Sequence, residues 1–481
     1  MHRRCKNPPY FFTLTYYFLL KPKGGSHGTV KHRAFERVKT ICITLLTVSM
    51  LVLAVIYIGG ARFSADGTAI KTASLPEGAV VLGEDPPQAL PIYQKELLPV
   101  SFAGIRYGSA GGGAYGSEQA AAALLEFAAE PMHLCLSQGA ALTAVSAADY
   151  ATAATGNFIC LNFLSALPYQ MLYALTGEGT AAAGSDTAIS ADRVLLSFTA
   201  SGKTTLYLSD GISFYAADSG ITVKPSELAA MANDSRLADF SVTENGIALS
   251  AAAPYAPKIS LSTASLDAAQ YAEVLTLLGY NPEAGISAAS VAEDDFTGTA
   301  VAPHGTVRAS GYALTYTAAR DSGIAISNFL DIAKSELDID MYDILQASIS
   351  LAEQLRAIAP AALGGEGKMF LRGFYREEDV FTVVLGLYTD GIEICGGTYP
   401  YFAEIQVQNG MFVSVHFLFA ALTKNSYSGA LFPSLWQYNY AANSAAVDTL
   451  RLYYRAEELP AENLDPSWYF TGEKAEEVVT E

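Results

Sequence analysis

A glycine-rich run at residues 111–116 is the first candidate for chemistry in this 481-residue chain. It reads GGGAYG, which satisfies the spacing of a dinucleotide-binding fingerprint, where glycine backbone approaches a pyrophosphate at a helix N-terminus. That fingerprint also requires a strand directly before it and an acidic residue about 20 positions later. The sequence predicts neither feature, so we interpret this run as a flexible loop. Gly202-Lys203-Thr204 is likewise predicted to be a hairpin turn, because Ser197 stands where a phosphate-binding loop needs its first glycine.

Three aspartates that are close in sequence, Asp338, Asp340 and Asp343, carry the oxygen ligands that calcium prefers. An EF-hand loop beginning at Asp338 would place Asp343 where glycine is required and Ile349 where a bidentate glutamate is required. The pattern therefore indicates acids that stabilise the N-terminus of a helix starting at Met341.

Histidines and cysteines are the remaining candidates for metal or nucleophilic chemistry. His133, His304 and His416 are interpreted as lone residues in or beside strands, because their spacing is not that of metal ligands. Cys135 and Cys160 are predicted to be small buried thiols, although their two apolar runs could also be neighbouring strands joined by a disulfide. The sequence thus predicts no catalytic residues, no cofactor and no metal site, and the protein is expected not to be an enzyme.

An uncharged apolar run at residues 41–60 precedes these candidates in the chain. As a helix it would be roughly 30 Å long, which matches the hydrocarbon thickness of a bilayer. A cleaved signal peptide is the alternative interpretation, but the run is longer than the usual apolar segment of about 7–15 residues. We therefore predict a single transmembrane helix at residues 41–60.

Charge is distributed very unevenly on the two sides of this run. Residues 1–39 carry nine Lys or Arg and one acid, a net charge of +8, so the total of −19 leaves −27 on residues 40–481. Because positive flanks are retained inside, residues 1–40 are predicted to be a basic cytoplasmic head and the acidic bulk to be extracytoplasmic. A start at Val30 would leave residues 1–29 untranslated. The acidic balance makes nucleic acid an unexpected partner.

Beyond the apolar run, helical patterns are segregated from hairpin patterns, which is typical of the α+β class. We expect antiparallel β-meanders with segregated helices, including a tight hairpin at Gly410 and an Ala-rich helix that ends before Pro131.

The chain is predicted to divide into further regions after the transmembrane helix. Residues 61–95 are rich in turn signals and are predicted to be a tether. The turn sequence at residues 279–282 breaks a helical pattern, so we predict an N-terminal domain at residues 96–282 and a C-terminal domain at residues 283–481.

Several short segments of the chain resemble the YycH/YycI family, accessory proteins of the cell-wall sensor kinase WalK (YycG) in Gram-positive bacteria. The length is closer to YycH than to YycI. The segments that carry the resemblance are residues 37–41 at the start of the apolar run, 158–178, 278–282, 305–307, 312–316, 374–388, 391–392, 409–413 and 464–468.

The resemblance implies a membrane-anchored regulator of a two-component sensor histidine kinase that controls cell-wall metabolism. Its expected partners are the kinase in the membrane and a second, YycI-like accessory protein, and the family supplies no active site to carry over. Two alternatives stay open: a PepSY-type module that inhibits or binds a protease, because the C-terminal meanders resemble that domain too, and a cell-wall enzyme.

One face of the predicted transmembrane helix is the candidate partner-binding site. Small residues allow helices to pack closely in lipid, and at helical spacing they share a face with larger apolar residues. The residues of this face are Thr44, Thr47, Leu51, Ala54 and Ile58. The competing interpretation is that they simply face lipid.

Overall fold

The structure is a computed structural model, and most of the chain after residue 93 is described in it. The described stretches are residues 70–71, 79–80, 94–137, 142–177, 189–282, 286–292, 295–330, 338–359, 366–396, 401–428, 431–443, 447–471 and 477–479. The predicted transmembrane segment and its candidate face at Thr44, Thr47, Leu51, Ala54 and Ile58 lie outside these stretches. No helix within the described stretches is both long and apolar enough to cross a membrane.

Eight α-helices and one short 3-10 helix, Ile326–Phe329, occur in the described stretches. The α-helices are α1 (Gln94–Leu97), α2 (Gln119–Ser137), α3 (Ala147–Ala153), α4 (Tyr169–Thr176), α5 (Pro225–Ala232), α6 (Ala268–Leu277), α7 (Met341–Ile358) and α8 (Ser434–Ala442).

Strands outnumber helices in the described part of the chain. In chain order they are β1 (Ile70–Lys71), β2 (Ala79–Val80), β3 (Val100–Tyr107), β4 (Ala110–Tyr115), β5 (Thr143–Ala144), β6 (Asn157–Pro168), β7 (Ser190–Phe198), β8 (Lys203–Ser209), β9 (Phe214–Thr222), β10 (Phe240–Val242), β11 (Ala248–Ser250), β12 (Pro257–Thr263), β13 (Ile286–Ala292), β14 (Asp295–Ala302), β15 (Gly305–Ser310), β16 (Ala313–Ala318), β17 (Gly323–Ala325), β18 (Asp338–Ile339), β19 (Lys368–Glu377), β20 (Val380–Thr389), β21 (Ile392–Gly396), β22 (Ala403–Gln408), β23 (Met411–Leu418), β24 (Ala420–Ser428), β25 (Thr449–Ala456), β26 (Ala461–Leu464), β27 (Pro466–Thr471) and β28 (Glu477–Val479).

Two large sheets organise these strands. A seven-stranded sheet has the order β4-β3-β6-β7-β8-β9-β5, and a fourteen-stranded sheet has a main path from β13 to β28 through β16, β23, β22, β20, β21 and β25. Among the described ladders only β2 with β17 and β21 with β25 are parallel. The α+β class and the antiparallel meanders are therefore confirmed.

Local sequence signals explain several of the element boundaries. Asp340 accepts a hydrogen bond from the backbone of Asp343 at 2.8 Å and so caps α7, as predicted for acids at a helix start. Asp267 caps α6 in the same way. Asn409 and Gly410 both have positive φ, which is the conformation that the predicted two-residue hairpin requires.

The glycine run at residues 111–116 was predicted to be a flexible loop, and that prediction is wrong. Most of the run forms strand β4. A Cβ on Gly112 would lie 2.7 Å from the Cβ of Leu237, and a Cβ on Gly113 would collide with the ring of Phe102. The amide of Gly113 also donates to the carbonyl of Ala238 at 2.7 Å. Close approach of neighbouring groups therefore accounts for these glycines, and no phosphate site is needed to explain them.

The Ala-rich helix was predicted to end before Pro131, and that prediction is wrong because α2 continues to Ser137. A proline inside a helix costs about 3 kcal/mol. On the same helix, the side chains of Leu124, Met132 and Leu136 are almost completely buried. Burial of each such side chain contributes roughly 1.5–3 kcal/mol to stability. Burial of this helix face outweighs the cost of the proline.

Residues 66–481 form one compact unit, and its contacts cross the boundary predicted at residue 282. Strand β12 pairs with β24 on one side and β26 on the other. The largest hydrophobic core also draws side chains from both sides of that boundary. The division into domains at residues 96–282 and 283–481 stays a prediction.

Two short strands within the predicted tether are also paired with this unit. Strand β1 pairs with β18 through Ile70 and Ile339, and β2 pairs with β17 through Val80 and Ile324. Part of residues 61–95 is therefore held against the folded unit.

Candidate functional site

A cleft lined by described residues is the candidate site. It encloses about 540 Å³, including the part that is open to solvent, and it lies where the edge of the seven-stranded sheet meets the β20–β21 turn and β25. Aromatic and aliphatic side chains form most of its wall, with a few polar groups. The residues that carry its chemistry are Tyr115, Asn162, Asp390, Ser434, Arg451 and Trp468.

Two glycines bring the elements of this cleft together. The backbones of Gly116, just after β4, and Gly391, in the β20–β21 turn, approach so closely that a Cβ on Gly391 would lie 2.6 Å from the Cα of Gly116. Gly391 also has a φ of +70°, which L side chains rarely adopt. The two sheets are therefore fixed against each other at this point.

The hydroxyl of Ser434 lies beside a second side chain, as the nucleophile of a serine enzyme does. The groups around Ser434 do not activate it. Its Oγ lies 3.0 Å from the hydroxyl of Tyr115 and accepts a hydrogen bond from the amide of Ser250 at 2.8 Å. Burial raises the pKa of Tyr115, so this phenol remains neutral and is a poor base. Histidine, cysteine and lysine do not occur among the residues that line the cleft. The hydroxyl pair therefore joins α8 to β4 and does not resemble an activated serine.

Arg451 lines the cleft and connects it to a cluster of buried charges. Its Nη1 donates to the carbonyl of Leu164 at 2.6 Å, and its Nη2 is paired with the carboxylate of Asp192. Burial disfavours the charge on Arg451, but Tyr453, Asp192 and Glu393 more than compensate and hold the guanidinium pKa above its ordinary value. Arg451 on β25 is thus bound to β6 and β7 of the other sheet.

Arg193 extends this cluster on the other side of Asp192. Its Nε lies 3.4 Å from the Asp192 carboxylate, and its Nη2 donates to the carbonyl of Asp448 at 2.8 Å. The side chains of Arg193 and Asp192 are only 4 % and 6 % exposed. Burial lowers the pKa of the Arg193 guanidinium, although Asp192 acts in the opposite direction. The contacts of both arginines are with protein groups that brace the two sheets.

A second buried pair lies on the neighbouring strands. Arg372 of β19 donates to Glu393 of β21 at 2.6 Å, and the Glu393 side chain is 2 % exposed. Beside it, burial and the adjacent Glu393 raise the pKa of the Cys395 thiol to about 12. This thiol remains protonated and is therefore a poor nucleophile.

The three histidines considered in the sequence lie on separate elements. His133 was predicted to lie in or beside a strand, but it belongs to helix α2. Its ring stacks on that of Tyr173, with centroids 4.5 Å apart. His304 is buried and its Nε2 lies 3.2 Å from the carbonyl of Leu278. His416 lies on β23. No three His, Cys, Asp or Glu side chains among the described residues are placed to hold a metal ion.

The cysteine prediction is confirmed in one respect and corrected in another. Cys135 and Cys160 are both free and buried, as predicted. Cys135 lies in helix α2, however, so the two residues do not occupy neighbouring strands.

Sequence reasoning missed the charge cluster and helix α8. Asp192 and Arg451 are separated by 259 positions, and no local spacing indicates that they pair. The sequence does contain a signal for helix α8. Pro433 precedes the helix, and Trp436 and Tyr440 have the four-residue spacing of one helix face.

Comparison with known proteins gives structural similarity only. No protein-family model matches the chain, and no curated protein matches its sequence. The crystal structure of YycH from Bacillus subtilis is similar with a TM-score of 0.48 and 12% identity, over 80% of this chain and 96% of that one. An uncharacterized protein from Eubacterium rectale is similar with a TM-score of 0.30 and 10% identity, over 47% of this chain and 82% of that one.

Proposed function

We propose that this chain is a membrane-anchored, extracytoplasmic regulator of a two-component sensor histidine kinase that controls cell-wall metabolism. It acts through contacts with the kinase in the membrane and outside it. A second accessory protein of the YycI type is a further expected partner.

The observation that carries this proposal is the order of the sequence segments that resemble the YycH/YycI family. They begin at the predicted membrane helix and continue to residues 464–468, so they cover both halves of the folded unit. The segment beginning at residue 158 contains nearly all of β6 and the whole of helix α4, and residues 374–388 contain the last four residues of β19 and nearly all of β20. These segments are structural parts of the sheets and not isolated motifs.

The placement of buried charge is consistent with an interaction protein. Asp192, Arg193, Arg451 and Glu393 are engaged with each other, with Arg372 or with backbone carbonyls that join neighbouring strands and sheets. Regulation by binding requires only a different affinity for the two states of the kinase, typically about 1–3 kcal/mol.

Co-purification and kinase output test the proposal together. The full chain and a WalK-type sensor kinase from the same organism are co-expressed, extracted in mild detergent and recovered through a tag on the chain. We expect the kinase to be recovered, and the phosphorylation of its response regulator to change when the chain is deleted. Absence of both effects would reject the proposal. Inhibition of a protease by the purified chain, or cleavage of peptidoglycan, would favour the two alternative functions.

The membrane contact makes a sharper prediction. Replacing Thr44, Thr47 and Ala54 with leucine preserves an apolar helix but adds bulk to its small-residue face, so recovery of the kinase should fall. The matched control replaces Cys42, Ser49 and Val52, on other faces, with leucine. Equal recovery from the two variants would exclude this helix face from the contact.

A further inference from the structure

Helix α8 presents an aromatic face to solvent. Three aromatic residues follow each other at intervals of four: Phe432, two residues before the helix begins, and Trp436 and Tyr440 within it. Their exposed fractions are 44%, 62% and 64%. The rings of Phe432 and Trp436 are stacked, with centroids 6.2 Å apart. Tyr255, which lines the same cleft as Ser434, is 63% exposed. We call these four side chains the aromatic face.

The fold does not need the aromatic face for its core. The opposite side of α8 holds the helix in place through the buried residues Ser434, Gln437 and Ala441. Ala441 packs with Ile247 and Leu249 in a separate small hydrophobic cluster. Helix α8 is thus anchored by one side, and its exposed rings are available for another contact.

The aromatic face is about as large as the largest apolar patch on a typical monomer, and such patches are often functional. An aromatic side chain buries about 150–250 Å² when it is fully covered, so the exposed fractions of these four rings correspond to roughly 500 Å². Apolar patches of more than a few hundred Å² usually mark interaction sites. The area is also more than half of the ~800 Å² that one partner contributes to a standard protein interface.

The net charge of the chain restricts the kind of partner that can bind the aromatic face. Between Lys424 and Asp448 the sequence contains no Asp, Glu, Lys or Arg, whereas residues 40–481 together carry −27. The neutral aromatic segment therefore belongs to a chain with a large net negative charge. A second copy of the chain or an anionic bilayer would be repelled by this net charge, but a protein surface with an apolar centre and a Lys/Arg rim would be attracted.

We propose that the aromatic face of α8 is the external docking surface for the partner kinase, through an apolar patch with a basic rim on its extracytoplasmic part. This inference rests on the proposed function, and it assigns the external contact to named residues. Trp and Tyr dominate interface energetics, so Trp436 and Tyr440 provide most of the affinity.

The test uses the full chain co-expressed with the sensor kinase in membranes. The double variant Trp436→Gln and Tyr440→Gln removes two exposed rings and leaves the buried side of α8 intact. We expect kinase recovery to fall at least tenfold, because loss of an interface hot spot weakens binding by that factor or more. The matched control, Ile212→Gln with Tyr375→Gln, removes two side chains that are 83% and 45% exposed elsewhere. It should retain full recovery.

A photo-crosslinking amino acid at Trp436 identifies the occupant directly. A product that contains the chain and the kinase supports the proposal. A product of two copies of the 51.0 kDa chain, a lipid adduct, or no product would overturn it. Equal recovery from the aromatic and control variants would also overturn it. If the unsubstituted chain fails to recover the kinase, the proposed function itself fails, which is a different result from loss of the aromatic face alone. Unchanged melting temperatures for both variants will show that folding is not the cause.

Discussion

Replacing Asp192 with asparagine removes the negative charge shared by Arg193 and Arg451 but keeps the shape of the side chain. Arg193 would remain 4% exposed and Arg451 26% exposed, without the carboxylate between them. Removing one partner from a buried ion pair costs about 3–5 kcal/mol. Because Arg451 is partly reached by water, we expect the lower end of that range.

This cost can be converted into a melting temperature. Unfolding entropy is about 2.1 cal/mol/K per residue, so a unit of roughly 400 residues changes its melting temperature by about 1.2 °C for each kcal/mol. The Asp192→Asn variant should therefore melt about 3–4 °C below the unsubstituted chain in differential scanning calorimetry. Restoring part of the loss by adding Arg451→Met would show that the cost arises from an uncompensated guanidinium.

The exposed pair of Lys203 and Asp218 supplies the control. Their side chains are 49% and 61% exposed and 2.8 Å apart, so the Asp218→Asn change should cost under about 1 kcal/mol and shift melting by about 1 °C or less. If Asp192→Asn melts at the same temperature as Asp218→Asn, the buried cluster does not brace the two sheets and the reasoning is wrong.

Three further predictions concern stability. Gly391→Ala should cost about 3 kcal/mol, from positive φ and contact with Gly116, whereas Gly220→Ala, with similar φ but open space, should cost about 1 kcal/mol in denaturant unfolding. Burial lowers the pKa of His304, so the unfolded chain binds more protons below about pH 6.5. As the pH is lowered below this value, the free energy of unfolding should therefore decrease by at most about 1.4 kcal/mol per pH unit. Thermal melts of the His304→Gln variant should show a smaller decrease. Residues 90–481 should be soluble and folded, but residues 66–481 should melt about 1–2 °C higher because they retain β1 and β2; equal melting would show that those strands contribute nothing.

Local sequence determined the parts of this protein that depend on neighbouring residues. Period and turn chemistry predicted the α+β class and the hairpin at Gly410. The acids before Met341 were recognised as helix-start residues, because a cap acts within one turn of its own helix. Charge and hydropathy also predicted a membrane segment and an acidic external region, and that localisation stays a prediction.

Tertiary structure decided the features that depend on partners distant in the chain. The glycine run became a strand because Phe102 and Leu237 approach it, and α2 passes Pro131 because its buried face outweighs the proline. Arg451 and Asp192 pair across 259 positions, and α8 exposes Trp436 because only its other side finds a core. Spacing in a sequence reports neighbours along the chain, whereas burial and ion pairing depend on which distant surfaces meet.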